Sequence, residues 1–289
     1  MAVWLVVLIT LAGCAAAPEP ASASAIPTAS PPPTQGSVLA LTPELHVHGL
    51  GEDVWRVEHR QPWSANALLV RLDEQTLVLC DTPNDESATG RLLDWIDAAF
   101  PDATLHAVVS HYHVDAAGGL ATLRERGAET YAGSLTARLL VERGADMGAR
   151  LAANTSYDAD VRARFAAIRW VASEHVLLGD RRALPLPAEP VIVLHPGAAH
   201  APDNVVTWFP ERGLLFGGCM VKASNSLGEL TDADTERWPE ALGVLIDLQP
   251  SLVVPGHGAP GDAGLLTHTL DLLASHAPAR TPAAPGVKP

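Results

Sequence analysis

Lysine is nearly missing from this 289-residue chain: Lys222 and Lys288 are the only two. With 19 Lys+Arg set against 33 Asp+Glu, the formal net charge is -14, and no basic run occurs anywhere. That balance excludes a nucleic-acid partner on electrostatic grounds, while one local cation beside a site still suits a small anionic substrate. Cysteine is equally sparse, at Cys14, Cys80 and Cys219 only. Neither Gly-x-Ser-x-Gly nor Ser-x-x-Lys is present to supply a serine nucleophile. No internal repeat of fixed period is visible, and no apolar run is long enough to span a bilayer comfortably. What remains, with 47% hydrophobic and 18% charged residues, suits one globular domain with tails.

The ends read differently from the middle. Val3–Leu11 is a short apolar run followed by Ala12, Gly13 and Cys14, which reads as a secretory segment with its cleavage site. Leu11-Ala12-Gly13-Cys14 resembles a bacterial lipobox, although no Lys or Arg precedes the run. The resemblance implies cleavage before Cys14 and lipidation of its sulfur. Ala15 is not the aspartate linked with inner-membrane retention, so the expected location is the periplasmic side of the outer membrane. Residues 15–38 are almost wholly Ala, Pro and Ser and are expected to form a flexible linker. The domain is expected over 39–277, with a Pro/Ala-rich tail over 278–289. An oxidising compartment would permit a Cys80–Cys219 disulfide; alternatively Cys80 is a small core residue at the end of an apolar strand.

Within the domain, Glu44–His48, Asp53–Glu58, Ala65–Leu72 and Gln75–Cys80 read as strands of an antiparallel meander. A helix follows over Glu86–Phe100, with Leu92, Leu93, Ile96 and Phe100 on one stripe. Then come a strand over Thr104–Ser110, a helix over Leu120–Arg126 and a short strand over Glu129–Ala132. Ser134 is placed to cap a helix over Leu135–Arg143. Residues 145–172 give no clear pattern. Strands return at His175–Leu178, Val191–Leu194, Val205–Phe209 and Leu214–Phe216. Helices over Asp234–Leu248 and Asp262–Ser275 flank a last strand, Leu252–Val254. Strands, then strand–helix units, then the same again predict two sheets packed face to face with helices outside, a four-layer α/β (αββα) sandwich.

The chemistry gathers at strand ends. SHYHVDAAGG, Ser110–Gly119, follows a strand and presents His111, His113 and Asp115. His200 sits in a Gly/Pro loop, Cys219 follows Leu214–Phe216, and His257 follows Leu252–Val254. Singly, each is an ordinary loop residue; six donor side chains at equivalent strand ends point to divalent metal. They divide into a neutral set, His111, His113 and His200, and an anionic set, Asp115, Cys219 and His257. Two zinc ions suit these sets, because imidazole, thiolate and carboxylate are zinc's ligands and bound zinc lowers the pKa of water towards 7.

On these motifs the chain resembles the metallo-β-lactamase superfamily, and within it the class B zinc β-lactamases of the first subclass. The resemblance spans about residues 42–275. It rests on SHYHVDAAGG, Asp81-Thr82-Pro83, GAAHAPDN (197–204), LFGGCMVK (215–222), SLGELTDAD (226–234), Trp238-Pro239 and Pro255-Gly256-His257-Gly258. Relatives with other substrates carry His directly after the motif aspartate, where this chain has Ala116, and a late aspartate where it has Cys219. The resemblance implies hydrolysis of a β-lactam small molecule by zinc-bound hydroxide, with Asp115 catalytic as well as ligating. It assigns Lys222 to the substrate carboxylate and Asp81 to supporting the metal loops, and no partner chain is expected. Three departures stand out. Glu229 follows Leu227-Gly228 where the family has Asn. The hairpin 59–63 is shorter than the usual flap, leaving Trp63 and Arg60 as lid contacts. Ala201 replaces a common Thr. His195 and the remaining histidines read as structural or solvated.

Overall fold

The computed structural model describes residues 30–276. The secretory segment, Cys14 and the tail over 278–289 lie outside the described residues. Two mixed sheets form the centre. The first runs β1 (Val38–Ala40), β2 (Leu45–Gly51), β3 (Val54–His59), β4 (Ala65–Asp73), β5 (Thr76–Cys80), β6 (Thr104–Val109), β7 (Glu129–Gly133) and β8 (His175–Leu177), in that spatial order. The meander β1–β5 is antiparallel and β5–β8 is parallel. The second sheet is ordered β13-β12-β11-β10-β9, from β9 (Arg181–Ala183), β10 (Ile192–Leu194), β11 (Val206–Phe209), β12 (Leu214–Lys222) and β13 (Leu252–His257).

Because both sheets are covered on both faces, their central strands read as apolar runs whose two side-chain rows serve different cores. In β4 and β5, Leu68, Val70, Val78 and Cys80 face the second sheet and meet Phe209, Phe216 and Val254. The alternate residues Ala67, Leu69, Leu77 and Leu79 face an outer helical layer. That layer holds α1 (Glu86–Ala99), α2 (Val114–Ala117), α3 (Leu120–Glu125), α4 (Ser134–Ala153) and α5 (Ala159–Ala167). On the far side, α6 (Trp238–Ile246) and α7 (Gly264–His276) cover the second sheet through Trp238, Leu242, Leu245 and Leu266. The four-layer sandwich is the observed architecture.

Several expectations are corrected. The flexible linker expected to reach residue 38 ends earlier: the Trp95 and Trp55 indole N–H groups donate to the carbonyls of Ser30 and Pro33, and Val38–Ala40 pairs with β2. Proline-rich composition hid this segment because its anchors are tryptophans distant in sequence. Ser134 does not cap its helix; Gly133 occupies that position without a side-chain bond, and the helix runs on to Ala153. The unclear stretch 145–172 is the rest of α4 followed by α5. Both Cys80 and Cys219 are free thiols, Cys80 lying in the core between the sheets. The strand expected at Leu214–Phe216 continues to Lys222, its pairing with β13 shifting register at Gly218.

Candidate metal centre

The cleft of about 490 Å³ at one edge of the sandwich is lined by His113, Asp115, His200, Lys222, Glu229 and His257 among others. Its floor is made where strands of both sheets end. β6 delivers His111 and His113, and Asp115 sits in the first turn of α2 rather than in a loop. His200 comes from the loop between β10 and β11; β12 brings Cys219 and β13 brings His257. Donor atoms of Asp115, Cys219 and His257 all lie within 4.8 Å of one another, as do those of His111, His113 and Asp115, and of His111, His200 and Cys219. The rings of His111, His113 and His200 pack edge to face at centroid distances of 4.6, 5.5 and 5.1 Å.

His111, His113 and His257 are each aimed by a second contact. Ser110 offers its N–H and hydroxyl to the Asp81 carboxylate, both at 2.7 Å. With that hydroxyl spent, His111 Nδ1–H donates to Ser110 Oγ at 2.9 Å, and Nε2 is left as a buried lone pair without a partner. Asp81 holds φ at 62°, the left-handed region tolerated by Asp, which turns its carboxylate back under β6. His113 Nε2 lies 3.1 Å from Asp232 Oδ2, which also accepts from the Tyr112 hydroxyl at 2.5 Å. His257 Nδ1–H donates to the Ser64 carbonyl at 2.7 Å, leaving Nε2 at 3.0 Å from Asp115 Oδ2 and 3.3 Å from Cys219 Sγ. His200 Nδ1 is likewise buried without a partner. Fixing one imidazole nitrogen so that the other faces a common point is how proteins prepare metal ligands.

Electrostatics agree with this donor set. Burial pushes His111 down to about 3 and His200 well below its ordinary value, so both are neutral donors. Burial raises the Cys219 thiol and would raise Asp115, but the hydrogen bond from His257 and nearby imidazole charge hold that carboxyl well below its usual range. Burial also opposes the charge on His257, yet Cys219 and Asp115 outweigh it and hold the imidazolium up to about 11. Without metal the Asp115–Cys219–His257 set therefore keeps a proton between its members, the position a divalent cation would take over. Orphaned buried nitrogens, a soft thiol and a carboxylate fit zinc.

Gly256 explains how β13 comes so close: a Cβ there would stand 2.6 Å from Cys219 Sγ and 2.7 Å from its backbone nitrogen. Lys222, 5% exposed, lies three residues beyond Cys219, its Nζ 5.4 Å from the centre of the Trp238 ring. Trp63 lines the cleft and packs on Tyr157 and Phe165, at 6.0 and 5.8 Å. Arg60, expected beside it as a lid contact, instead bonds to Glu58. Glu229 is on the rim, with Oε1 accepting from Leu230 N–H, Thr231 N–H and Thr231 Oγ1–H. His195 is outside the centre, bonded to the Pro202 carbonyl. Sequence reasoning missed Ser64, Ser110, Tyr112 and Asp232. For Ser64 no signal exists, since it acts through its backbone; Asp232 carried one, an acid in the same motif as Glu229.

The metallo-β-lactamase superfamily model matches residues 60–257. A "Metallo-beta-lactamase type 2" of Bacillus cereus is 31% identical over 243 residues, covering 80% of this chain and 84% of that one. Another of the same name from Bacteroides fragilis is 30% identical, over 72% of this chain and 75% of its own. Among solved structures, a metallo-β-lactamase from Pontibacter korlensis superposes with a TM-score of 0.66 at 28% identity, covering 80% of this chain and 99% of that one. The chain belongs to the metallo-β-lactamase superfamily.

Proposed function

We propose that the protein hydrolyses the β-lactam amide bond with two zinc ions, one held by His111, His113 and His200, the other by Asp115, Cys219 and His257. The observation that carries this reading is the gathering of the Asp115, Cys219 and His257 donors and of the His111, His113 and His200 rings on the floor of a cleft whose wall holds one buried cation, Lys222. When bound, zinc supplies Lewis acidity and activates water at neutral pH. The chain's own residues orient and bind. Burial lowers the Lys222 ammonium, with Cys219 and Asp115 opposing that fall, and a substrate carboxylate would complete its pairing. Asp232 and Ser110 keep His113 and His111 turned towards the floor. The ionised Asp115 carboxylate, with Oδ2 3.0 Å from His257 Nε2, is placed to take the proton released by the attacking water and hand it to the departing nitrogen. The Bacillus cereus and Bacteroides fragilis relatives, both called metallo-β-lactamases, support this substrate class.

Glu229 on the rim favours a second reading, a hydrolase of another ring or thioester, since its carboxylate disfavours an anionic substrate. One experiment separates the two: turnover of a cephalosporin and a carbapenem by protein lacking residues 1–14, with and without chelator. Chelator-sensitive hydrolysis is expected; none with either drug would leave the second reading. We also propose a lipid anchor at Cys14 holding the enzyme on the periplasmic face of the outer membrane. Incorporation of labelled palmitate, abolished in Cys14→Ala, is the expected result; label retained in that variant would refute it.

A further inference from the structure

One wall of the cleft that Lys222 also lines is built by a part of the chain whose sequence pattern predicts no site. In α4, Arg143, Met147, Arg150 and Leu151 stand at i, i+4, i+7 and i+8, one stripe of a helix. Met147, Arg150 and Leu151 line the cleft together with Trp63 and Tyr157. On an adjoining face, Gly144 and Gly148 seat the Trp170 indole: a Cβ at either would stand 2.5 or 2.7 Å from that ring system. Two mid-helix glycines cost helix stability, and here they let Trp170 lock α4 in place. Trp63 is in turn clasped between Tyr157 and Phe165 of the segment running through α5. The short hairpin before β4 is thus fastened to this wall.

The wall carries one uncommitted charge. Arg143 is engaged, its guanidinium 3.6 Å from Asp232 and 6.0 Å from the Tyr112 ring centre. Arg138 pairs with Glu142 one turn away. Arg150 has no ion pair among the described residues, and it lies beside the apolar surface of Met147 and Leu151. The other charged groups facing the cleft from packed elements are Asp115, Glu229 and Asp232, and the first and last are held by imidazole or guanidinium partners.

We propose that Trp63, Met147, Arg150, Leu151 and Tyr157 form a side-chain subsite for an aromatic substituent that itself bears a carboxylate, with the ring on the apolar wall and the anion at Arg150. Lys222 would hold the carboxylate of the substrate nucleus, so the preferred ligand is an aryl dianion. The inference rests on the β-lactam reading only for that nucleus.

The test uses alkali-opened penicillins, whose binding needs no turnover. Zinc-loaded protein is titrated calorimetrically with three products of one nucleus, carrying an α-carboxybenzyl, a benzyl or no acyl side chain. Affinity is expected to fall in that order. Arg150→Ala, an exposed change that leaves folding intact, should cut the α-carboxybenzyl over benzyl preference about threefold, and Arg150→Glu should invert it. Leu151→Ala should weaken both aryl products about tenfold relative to the bare amine. Equal binding of the three products, or a preference untouched by Arg150→Glu, overturns the subsite. Hydrolysis of the unopened penicillins is followed in parallel. Ranked product binding without any turnover refutes the proposed reaction and leaves the subsite standing; turnover without ranking does the reverse.

Discussion

The two halves of the metal floor are held by different means. His111 and His113 are aimed by side-chain carboxylates, Asp81 acting through Ser110, and Asp232 directly. His257 and Cys219 are aimed by backbone: the Ser64 carbonyl fixes the ring, Gly256 lets two strands touch, and Asn66 ties Pro255 and Gly258 across to the first sheet. A carboxylate can be removed one residue at a time, whereas a backbone frame fails only when a strand is displaced. The imidazole half should therefore respond to substitution in graded fashion, and the other half abruptly.

The sharpest test replaces a donor outright. On the proposed two-zinc reading, Cys219→Ser should weaken the zinc of the Asp115–Cys219–His257 set by at least about 100-fold in chelator competition while the other stays bound. Loss of both ions together would mean the halves are one unit. Gly256→Ala comes next: the added carbon meets backbone of Gly218 and Cys219, so about 1–3 kcal/mol of folding stability should be lost, read from denaturant midpoints. A variant as stable as the parent would show that β13 can move aside. Asp232→Asn should lower affinity for the imidazole-bound zinc about 10-fold without changing stoichiometry, because His113 keeps a neutral partner.

The smallest effect concerns a prop beneath the backbone half. Ser64 donates its hydroxyl to Glu58, whose carboxyl burial would raise, but bonds from Arg60 and Ser64 and the Arg56 charge hold it at about 2. Its folded pKa lies below the unfolded value of about 4.3, so its contribution is full above that pH and lost as pH falls towards 2. Glu58→Gln should cost about 1 kcal/mol at pH 7, and the two proteins' stabilities should converge in acid. A gap independent of pH would assign the loss to packing instead.

Much of this was legible in the sequence for one reason: donors at strand ends are short, local signals. His111, His113, Asp115, His200, Cys219 and His257 each follow or border an apolar run, and the unbroken apolar runs of β4 and β5 mark their two-sided burial. What was not legible acts at long range or through backbone. The Ser64 carbonyl serves a histidine 193 positions away. Docking of Ser30 and Pro33 depends on indoles 65 and 22 residues further on. The wall formed by α4 was hidden by its Ala/Arg-rich composition, which gives a weak stripe, and by glycines that read as helix breakers until Trp170 is seen between them.

β12 has one more consequence. Cys219 and Lys222 belong to a single strand buried over all nine residues, anchored by Thr269 Oγ1 at the Lys222 nitrogen and by the Trp238 indole at the Met220 carbonyl. Metal centre and ammonium are therefore two marks three residues apart on one buried strand. Loops can adjust to what surrounds a ligand, but this interval is tied down by burial and by both anchoring hydrogen bonds. A tight inhibitor must match it, and a substitution elsewhere that evades such an inhibitor would have to do so without moving either mark.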